Sequence, residues 1–492
     1  MKTQINPAFQ PRKTSALGAA LALSGLLAGC ATFTGIGSDK HIAAPAASTQ
    51  SLPSEHGNWP AANWTSQFGD AQLDALVAEA LRTSPTIDQA RARIAAAAAF
   101  TETARSATGA KVNADYTLTR QQYSSNALVP PPYAGSLQNE NKAVVSASYE
   151  LDLWGKNSAA LASSLSKLRI STAAAEQVKL SLSNAVARSY NELARQYALR
   201  DLAARELDVR RQMRELSARR SRAGLDSDVE QQHIVRELAS GQASITAIDG
   251  RILDIRYQLA ALLGAGPDRG LTIARPTMGA GGGVALPDSL PADLLARRPD
   301  IVMARWSVDA STEDVKVAKA DFYPDINLAA SIGLDAFGFG RLFNASSRTL
   351  SAGPAIHLPI FDSGALRAQL KDRYAQFDFA VAAYQQTLVS ALSEVATDVA
   401  RVHATDAQLL DAQAADEAAH RSLTLSESQY RAGLSTQLVV QQSRLTALNT
   451  EEALTTLRMN RRDQQIALAA AMGGGFGAPA EPAAAAPAMA AK

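Results

Sequence analysis

An internal repeat constrains this 492-residue chain more than any other feature. The tetrapeptide Arg222–Leu225 recurs at Arg431–Leu434, 209 positions further on, and Gly155 and Gly364 are separated by the same offset. A repeat of this length indicates one structural unit used twice, rather than the several unrelated domains that the length alone would suggest. The sequence therefore predicts two similarly folded halves.

Within each half the periodicity of the apolar residues changes in the same order. Residues 70–107 and 291–321 have the spacing of helices. Runs of about 10–12 residues follow, in which apolar and polar side chains alternate, and this length suits a tilted transmembrane strand. Within these runs the alternation is clearest at 112–119, 144–151, 326–335 and 350–360, and the connections lie at 126–141 and 337–347.

Two long helical hairpins are predicted next. The stretches 133–266 and 360–477 contain no proline, which permits uninterrupted helix, and their apolar residues recur with coiled-coil spacing. The Arg-Ala-Gly-Leu tetrapeptide interrupts each stretch, and Gly commonly follows a helix end. We expect Asp226 or Ser435 to cap the returning helix, and a helix of roughly 65 residues to be ~100 Å long. The predicted arms are 156–222, 226–264, 364–431 and 435–472.

The N-terminus has the pattern of an export signal. Basic residues precede a short apolar segment, 16–28, which is too short to span a bilayer as a helix. Leu27-Ala28-Gly29-Cys30 follows and resembles the bacterial lipoprotein cleavage box, in which the Cys becomes residue one and carries lipid. Cys30 is the only cysteine, so an intrachain disulfide is excluded. Ala31 after it, rather than Asp, implies sorting to the outer membrane.

These features predict the domain organisation. The expected order is a lipoprotein signal peptide (1–29), a lipid-anchored tether (30–65), the first repeat (66–264), a linker (265–290), the second repeat (291–473) and a disordered tail (474–492).

Four strands of this kind cannot close a membrane barrel. Bacterial barrels need about eight or more strands, and open sheet edges are not tolerated in lipid. The wall must therefore be completed by other copies of the chain: two copies give eight strands and a filled interior, and three give twelve and a wider lumen. With the long hairpins extending the tube, the architecture predicts a conduit across the periplasm.

Composition and motifs argue against other classes of function. Lys and Arg total 48 against 47 Asp and Glu, so a nucleic-acid-binding surface is not indicated. Glu230 and His233 have a di-iron ligand spacing, but the second copy that such a site needs is replaced by Val439 and Gln442. With no Walker lysine, any energy must come from a partner. The sequence predicts no enzymatic activity, no cofactor and no metal site.

Several segments resemble one family. They resemble the outer-membrane efflux lipoproteins, the outer membrane factor family related to TolC, in its NodT-like branch, and the similarity covers about 60–473. The resemblance implies a mainly helical homotrimer with a transmembrane 12-stranded β-barrel, four strands per chain, continued by an α-helical barrel. It also implies a periplasmic adaptor and an inner-membrane pump as partners. The segments are Trp64–Asp70, Leu81–Ala90, Tyr149–Lys156, Asp293–Ile301, Asp321–Pro324 and Leu358–Asp362.

The resemblance also assigns roles to the hairpin turns. They would form the periplasmic tip where the adaptor docks, through Arg222, Ala223, Gly224, Leu225, Arg431, Ala432, Gly433 and Leu434. The family often has an acidic gate residue after the second turn, but this chain has no carboxylate there. The gate candidates are Asp226, Asp228, Glu230 and Gln442. The alternative explanation for the three acids is that they are helix-start residues, which the helix dipole favours. A cluster of arginines before the first turn has two interpretations: it lines the entrance or meets an acidic adaptor surface, or it is a solvated helix face. The cluster consists of Arg210, Arg211, Arg214, Arg219, Arg220 and Arg222.

The leading hypothesis is a passive exit duct in the outer membrane that conducts drugs or other small toxic compounds. The alternatives are a TolC-type duct for protein secretion, a periplasmic coiled-coil adaptor and a lipid-anchored enzyme. An adaptor has one hairpin, whereas this chain has two and four barrel-length strands. The sequence indicates neither the cargo nor the class of pump.

Overall fold

The computed structural model describes residues 32–43, 51–52, 57–126, 129–225, 227–279 and 296–477. The chain forms two compact units. Within the described residues, one unit draws on segments up to Ile42, Ala96–Arg169 and Trp306–Ala383, and the other on the remaining residues.

The elements follow the repeated order of the sequence. The helices are α1 (Ala71–Thr83), α2 (Pro85–Ser106), α3 (Lys156–Arg222), α4 (Asp228–Leu262), α5 (Pro267–Leu271), α6 (Pro299–Ala320), α7 (Phe339–Leu342), α8 (Ala365–Arg431) and α9 (Gln437–Ala471). The strands are β1 (Lys111–Gln122), β2 (Leu137–Leu151), β3 (Asp325–Phe337) and β4 (Arg348–His357). Short 3-10 turns lie at Trp64–Phe68 and Ala345–Ser347.

The hairpin helices have the same lengths in the two halves. Helices α3 and α8 each contain 67 residues, and α4 and α9 each contain 35. No proline interrupts any of them, so the i→i−4 hydrogen-bond ladder can continue over many turns. No helix in the described segments is both long enough and apolar enough to cross a bilayer.

The strands form one antiparallel sheet in the order β1-β2-β3-β4, so the first half supplies two neighbouring strands and the second half the other two. Two strand bounds differ from the sequence prediction. Strand β2 begins at Leu137, inside the predicted connection, because its polar first residues pair with the end of β1. Strand β4 ends at His357, which pairs with Asp325, the first residue of β3. The chain beyond it reaches Pro359, which cannot donate a ladder hydrogen bond.

Each unit has its own apolar core. The larger core surrounds Tyr190, which is fully buried, and includes Phe68 of the first 3-10 turn and Leu259 of α4. In the unit that carries the sheet, Phe322 and Leu370 form a smaller core with Phe33 and Ile36 packed against it. Residues of the predicted tether therefore contribute to both cores, since Trp64 is also buried.

Candidate functional site: the sheet wall and the hairpin turns

The sheet has one apolar and one polar face, and two neighbouring rows show this clearly. In the register, Val145 of β2 stands between Ala114 and Ile332, and Ile332 faces Leu350. The next row, on the other face, contains Ser146, which stands between Asn113 and Ser331. Ser331 faces Ser351, and their hydroxyls are 2.8 Å apart. The period-two alternation thus stays in phase across all three strand pairs.

The apolar face is exposed in the single chain. Leu350 is 78% exposed, Val112 68% and Ile356 67%, an arrangement that indicates a surface covered by lipid or protein. The opposite face contains charged residues, including Lys142, which pairs with Asp335 in the register. Strands that alternate in this way are typical of a transmembrane barrel with lipid outside and water inside.

The outer strands of the sheet limit what one chain can do. In the described sheet β1 has β2 as its neighbour and β4 has β3, so each outer strand presents one free edge. Because exposed backbone groups are too costly in hydrocarbon, these edges require strands from other copies.

Two motifs that carried the family resemblance meet where the strands join the helices. The Nζ atom of Lys156, the first residue of α3, lies 2.9 Å from Oδ1 of Asp321. The Trp154 indole donates to the carbonyl of Pro324 at 2.8 Å, and its ring stacks on Tyr323 at 4.7 Å. Burial alone would lower the pKa of Lys156, but the hydrogen bond and charge of Asp321 outweigh it and leave the pKa raised. The motif residues therefore fix the start of the first hairpin against the strand that opens the second half of the sheet.

Aspartates hold the starts of both long helices. Asp152 accepts hydrogen bonds from the amides of Asn157 and Ser158, at 3.0 and 2.8 Å. Asp362 accepts from the Leu366 amide at 2.6 Å, and this bond is the largest cause of its lowered pKa. A carboxylate at a helix N-terminus satisfies free amides and interacts favourably with the helix dipole.

The two predicted tips are hairpin turns with the same backbone geometry. Gly224 and Gly433 have φ angles of +70° and +73°. The amide of Leu225 donates to the Arg220 carbonyl at 2.9 Å, and the Leu434 amide repeats this bond 209 residues later at 2.9 Å. This is the Schellman pattern, which ends a helix at a residue in the left-handed conformation. All eight predicted tip residues are exposed: Arg222, Ala223, Gly224, Leu225, Arg431, Ala432, Gly433 and Leu434.

The capping prediction needs a correction. Ser227 is the N-cap of α4 and accepts from the Glu230 amide at 3.4 Å, and Thr436 is the N-cap of α9. The returning helices begin later than Asp226 and Ser435 would place them, because the Schellman turn is followed by extended residues. Asp226 lies outside the described residues.

The other gate candidates occupy the helix starts. Asp228 and Glu230 are exposed in the first turn of α4, where a carboxylate also stabilises the helix dipole. Gln442 is exposed on α9, and its carbonyl accepts from the Thr446 hydroxyl at 3.1 Å. Of the arginines before the first turn, Arg210 is engaged by Glu206 and Glu237, so Arg210 belongs to the α3–α4 packing and not to a free basic surface.

Within the same unit, ion pairs and amide contacts tie α3 of the first hairpin to α9 of the second. Arg205 makes two hydrogen bonds to Glu451, at 2.9 and 2.6 Å. Nearer the turns, Gln441 donates to Gln212 at 3.1 Å. The two hairpins of one chain are therefore joined at the levels of Arg205 and Gln212.

One buried hydrogen-bond network was not predicted from the sequence. The Oδ2 atom of Asp70 accepts from the Tyr190 hydroxyl at 2.9 Å and from the Thr277 amide at 2.8 Å, while its Oδ1 accepts from the Gln72 amide. Burial tends to raise the pKa of Asp70, but these hydrogen bonds outweigh it and lower the pKa. The predicted linker is thus fastened to α1 and α3 at Thr277. Only the N-cap position of Asp70, before an apolar helix, could have been found from sequence.

Comparisons with known proteins agree with this architecture. The family described as outer membrane efflux protein matches residues 76–265 and 290–474. The chain is 37% identical over 364 residues to the fusaric acid resistance protein FusA of Burkholderia cepacia, covering 72% of this chain and 68% of that protein. It is 31% identical over 428 residues to the multidrug resistance outer membrane protein MdtP of Escherichia coli K12, covering 85% of this chain and 87% of that protein.

One solved structure is similar to this chain in both fold and sequence. The outer membrane protein VceC of Vibrio cholerae superposes with a TM-score of 0.78 at 33% identity, over 85% of this chain and all of VceC. The family match and this likeness confirm the predicted fold class, in which a transmembrane β-barrel completed by several copies continues into long helices. Among the alternative functions, the comparisons support the outer-membrane efflux channel. The family is one of channel-forming proteins and not a family of enzymes. The chain belongs to the outer membrane efflux protein family.

Proposed function

We propose that three copies of this chain form an exit duct that passively conducts drugs or other small toxic compounds out of the cell. The observation that carries the proposal is the sheet, with a continuous apolar face, a continuous polar face and two free edges. Three copies would supply twelve strands and an aqueous lumen, whereas two copies would leave an interior that side chains fill. Conduction through such a lumen needs no cofactor and no bond chemistry.

The relatives support the kind of cargo. FusA is named for resistance to fusaric acid and MdtP for multidrug resistance. A tube shared by several compounds requires no specific pocket, so we propose small organic toxicants as a class rather than one compound.

We propose that the two hairpin turns dock a periplasmic adaptor, which connects the duct to an inner-membrane pump. Support comes from the exposed leucines that the repeat places at equivalent positions, Leu225 at 66% and Leu434 at 80% exposure. An apolar side chain at the end of each hairpin is suited to insertion between partner helices. Near these turns we place the gate, with Asp226, Asp228, Glu230 and Gln442 as candidates. Unchanged cation-to-anion permeability on neutralising Asp228 and Glu230 together would exclude those two acids.

We also propose that Cys30 carries the lipid anchor. Cys30 lies outside the described residues, but the segment just after it is held beside the sheet. The Thr32 carbonyl accepts a hydrogen bond from Arg367, and the Phe33 ring lies 5.6 Å from Phe322. Tyr323, also in contact with Phe33, comes two residues before β3. Three residues span at most ~10 Å. An acylated Cys30 would therefore lie close to the end of the sheet at which β3 begins.

The experiment is deletion of the gene followed by complementation. We expect the deletion strain to become more sensitive to fusaric acid or to members of a panel of antimicrobial compounds, and the wild-type gene to restore resistance. Unchanged sensitivity to the whole panel, together with loss of a secreted protein, would replace this function by protein secretion.

A further inference from the structure

A groove with a mixed lining lies at the base of the sheet. Its volume is about 450 Å³, and it lies in the unit that carries the strands. The side chains that matter here are Phe33, Trp154, Glu313, Lys316, Lys319 and Tyr323.

The groove lies at the level where the apolar face ends. Leu151 pairs with Ile326 in the last apolar row, Trp154 comes three residues after Leu151, and Tyr323 three residues before Ile326. Trp154 is 46% and Tyr323 38% exposed. Exposed aromatic rings at the end of membrane strands mark the boundary between hydrocarbon and head groups.

Three charged residues of the groove lie in the last two turns of α6, ahead of Tyr323 in the chain. Lys316 and Lys319 are three positions apart and therefore neighbours on one helix face. Lys316 is held 2.7 Å from Glu313, in a pair whose lysine is 59% exposed, and the Lys319 ammonium lies 5.6 Å from the centre of the Tyr374 ring. At 1.5 Å per residue, the two lysines and Glu313 begin about 6 Å from Tyr323 and reach about 15 Å from it along the helix, on the side away from the strands.

We propose that this groove binds the head group of a phospholipid with a primary ammonium, such as a phosphatidylethanolamine. Lys316 and Lys319 contact the phosphate, Glu313 accepts hydrogen bonds from the ammonium, and the Trp154 and Tyr323 rings contact the upper part of the acyl chains. Both lysine ammonium groups can contact the oxygens of one phosphate, and the carboxylate is complementary in charge to the lipid ammonium.

The acyl chains of the protein's own anchor are the other conceivable occupant. Phe33 brings the N-terminal segment into the groove, and three residues span at most ~10 Å, so an acylated Cys30 would be able to deliver them. Acyl chains, however, make no use of two ammonium groups and a carboxylate, whereas a head group pairs with all three. The proposal rests on the proposed orientation of the sheet in the membrane and not on the cargo or the adaptor, so its failure would leave the exit duct standing.

The test uses the full-length protein in detergent, titrated with dioctanoyl phosphatidylethanolamine, dioctanoyl phosphatidylglycerol or inorganic phosphate. Native mass spectrometry counts the lipids bound per assembled complex. We expect phosphatidylethanolamine to bind most tightly and the double variant Lys316→Gln/Lys319→Gln to weaken it about tenfold, because charge-assisted hydrogen bonds are lost. Glu313→Gln should reduce the preference for phosphatidylethanolamine over phosphatidylglycerol.

Lys179→Gln is the matched control, because Lys179 forms the same kind of exposed i,i+3 pair, 2.8 Å from Glu176 on α3, and it should leave lipid binding unchanged. Cys30→Ser should also retain the bound lipid. Equal binding by the double variant and the wild type, or equally tight binding of inorganic phosphate, would overturn the proposal. Binding of phosphatidylethanolamine by Cys30→Ser but not by the wild type would assign the groove to the anchor instead. Should the double variant not assemble, Glu313→Gln decides, since an unchanged lipid preference would contradict the proposal.

Discussion

Lys156 and Asp321 join the two halves of the chain where strands give way to helices, with Nζ and Oδ1 2.9 Å apart. Lys156 begins the first long helix, and Asp321 lies just ahead of β3. The pair is partly shielded, with side-chain exposures of 32% and 18%. A contact of this kind holds the direction in which the hairpin leaves the sheet.

Removing one partner of this pair should cost more than removing both. We expect Asp321→Asn to destabilise the protein by about 1–2 kcal/mol, because a shielded ammonium then loses its nearest carboxylate. Lys156→Met combined with Asp321→Asn should recover part of the loss. Thermal unfolding of the purified complex measures the cycle, with Lys179→Met as an exposed control. Strictly additive losses would show that the pair is not coupled.

The assignment of the sheet faces can be tested with two adjacent residues. Val145→Lys places a charge on the apolar face, where a lysine near mid-membrane costs roughly 2–4 kcal/mol per copy, so assembly in the outer membrane should fail. Ser146→Lys places the same charge on the polar face and should assemble, with altered ion conductance. Cell fractionation and single-channel recording measure the two results. If Val145→Lys assembled normally and Ser146→Lys did not, the faces would be reversed.

Substitutions at the hairpin turns should impair export and spare assembly. Gly224→Val and Gly433→Val force a β-branched residue to φ near +70°, which costs roughly 1–2 kcal/mol or reshapes the turn. Gly250→Val is the control, because all three positions have open space for a side chain but Gly250 has no positive φ. Resistance assays and the mass of the complex give the readout. Lost assembly in the turn variants would remove support for the tip assignment.

The Asp70 network should give a pH-dependent contribution to stability. Because the folded state lowers the pKa of Asp70 below its ordinary value of 3.8, its contribution is fully present at neutral pH and is lost as the pH falls below that value. We expect Asp70→Ala to cost roughly 1–3 kcal/mol at pH 7 and less near pH 3. Thermal unfolding at the two pH values measures the difference, with the exposed Asp88→Ala as control. A loss that stays the same at both pH values would contradict the ionised network.

Much of the fold was predictable because its signals are local or periodic. The absence of proline and the repeated Arg-Ala-Gly-Leu turn located both hairpins, and the arm 156–222 coincides with α3. Alternation located the strands, but it failed where β2 begins with polar residues at Leu137, since those residues are held by pairing with β1 rather than by an apolar face.

Contacts between distant residues were not predictable. Tyr190 lies 120 positions after Asp70 and Thr277 lies 207 positions after it, and no spacing rule connects them. Similarly, the arginines before the first turn are indistinguishable by residue type. In the structure, however, Arg210 forms an ion pair with Glu237 on the returning helix. Composition describes the run, whereas only the packing of α3 against α4 decides which arginines are free.

The most direct test of the account is the mass of the purified complex together with its conductance in a planar bilayer. Identical chains must share strands if one chain cannot close its own wall, so native mass spectrometry should show three chains and the same preparation should conduct ions. A single chain that remains monomeric in detergent and never conducts would contradict the account.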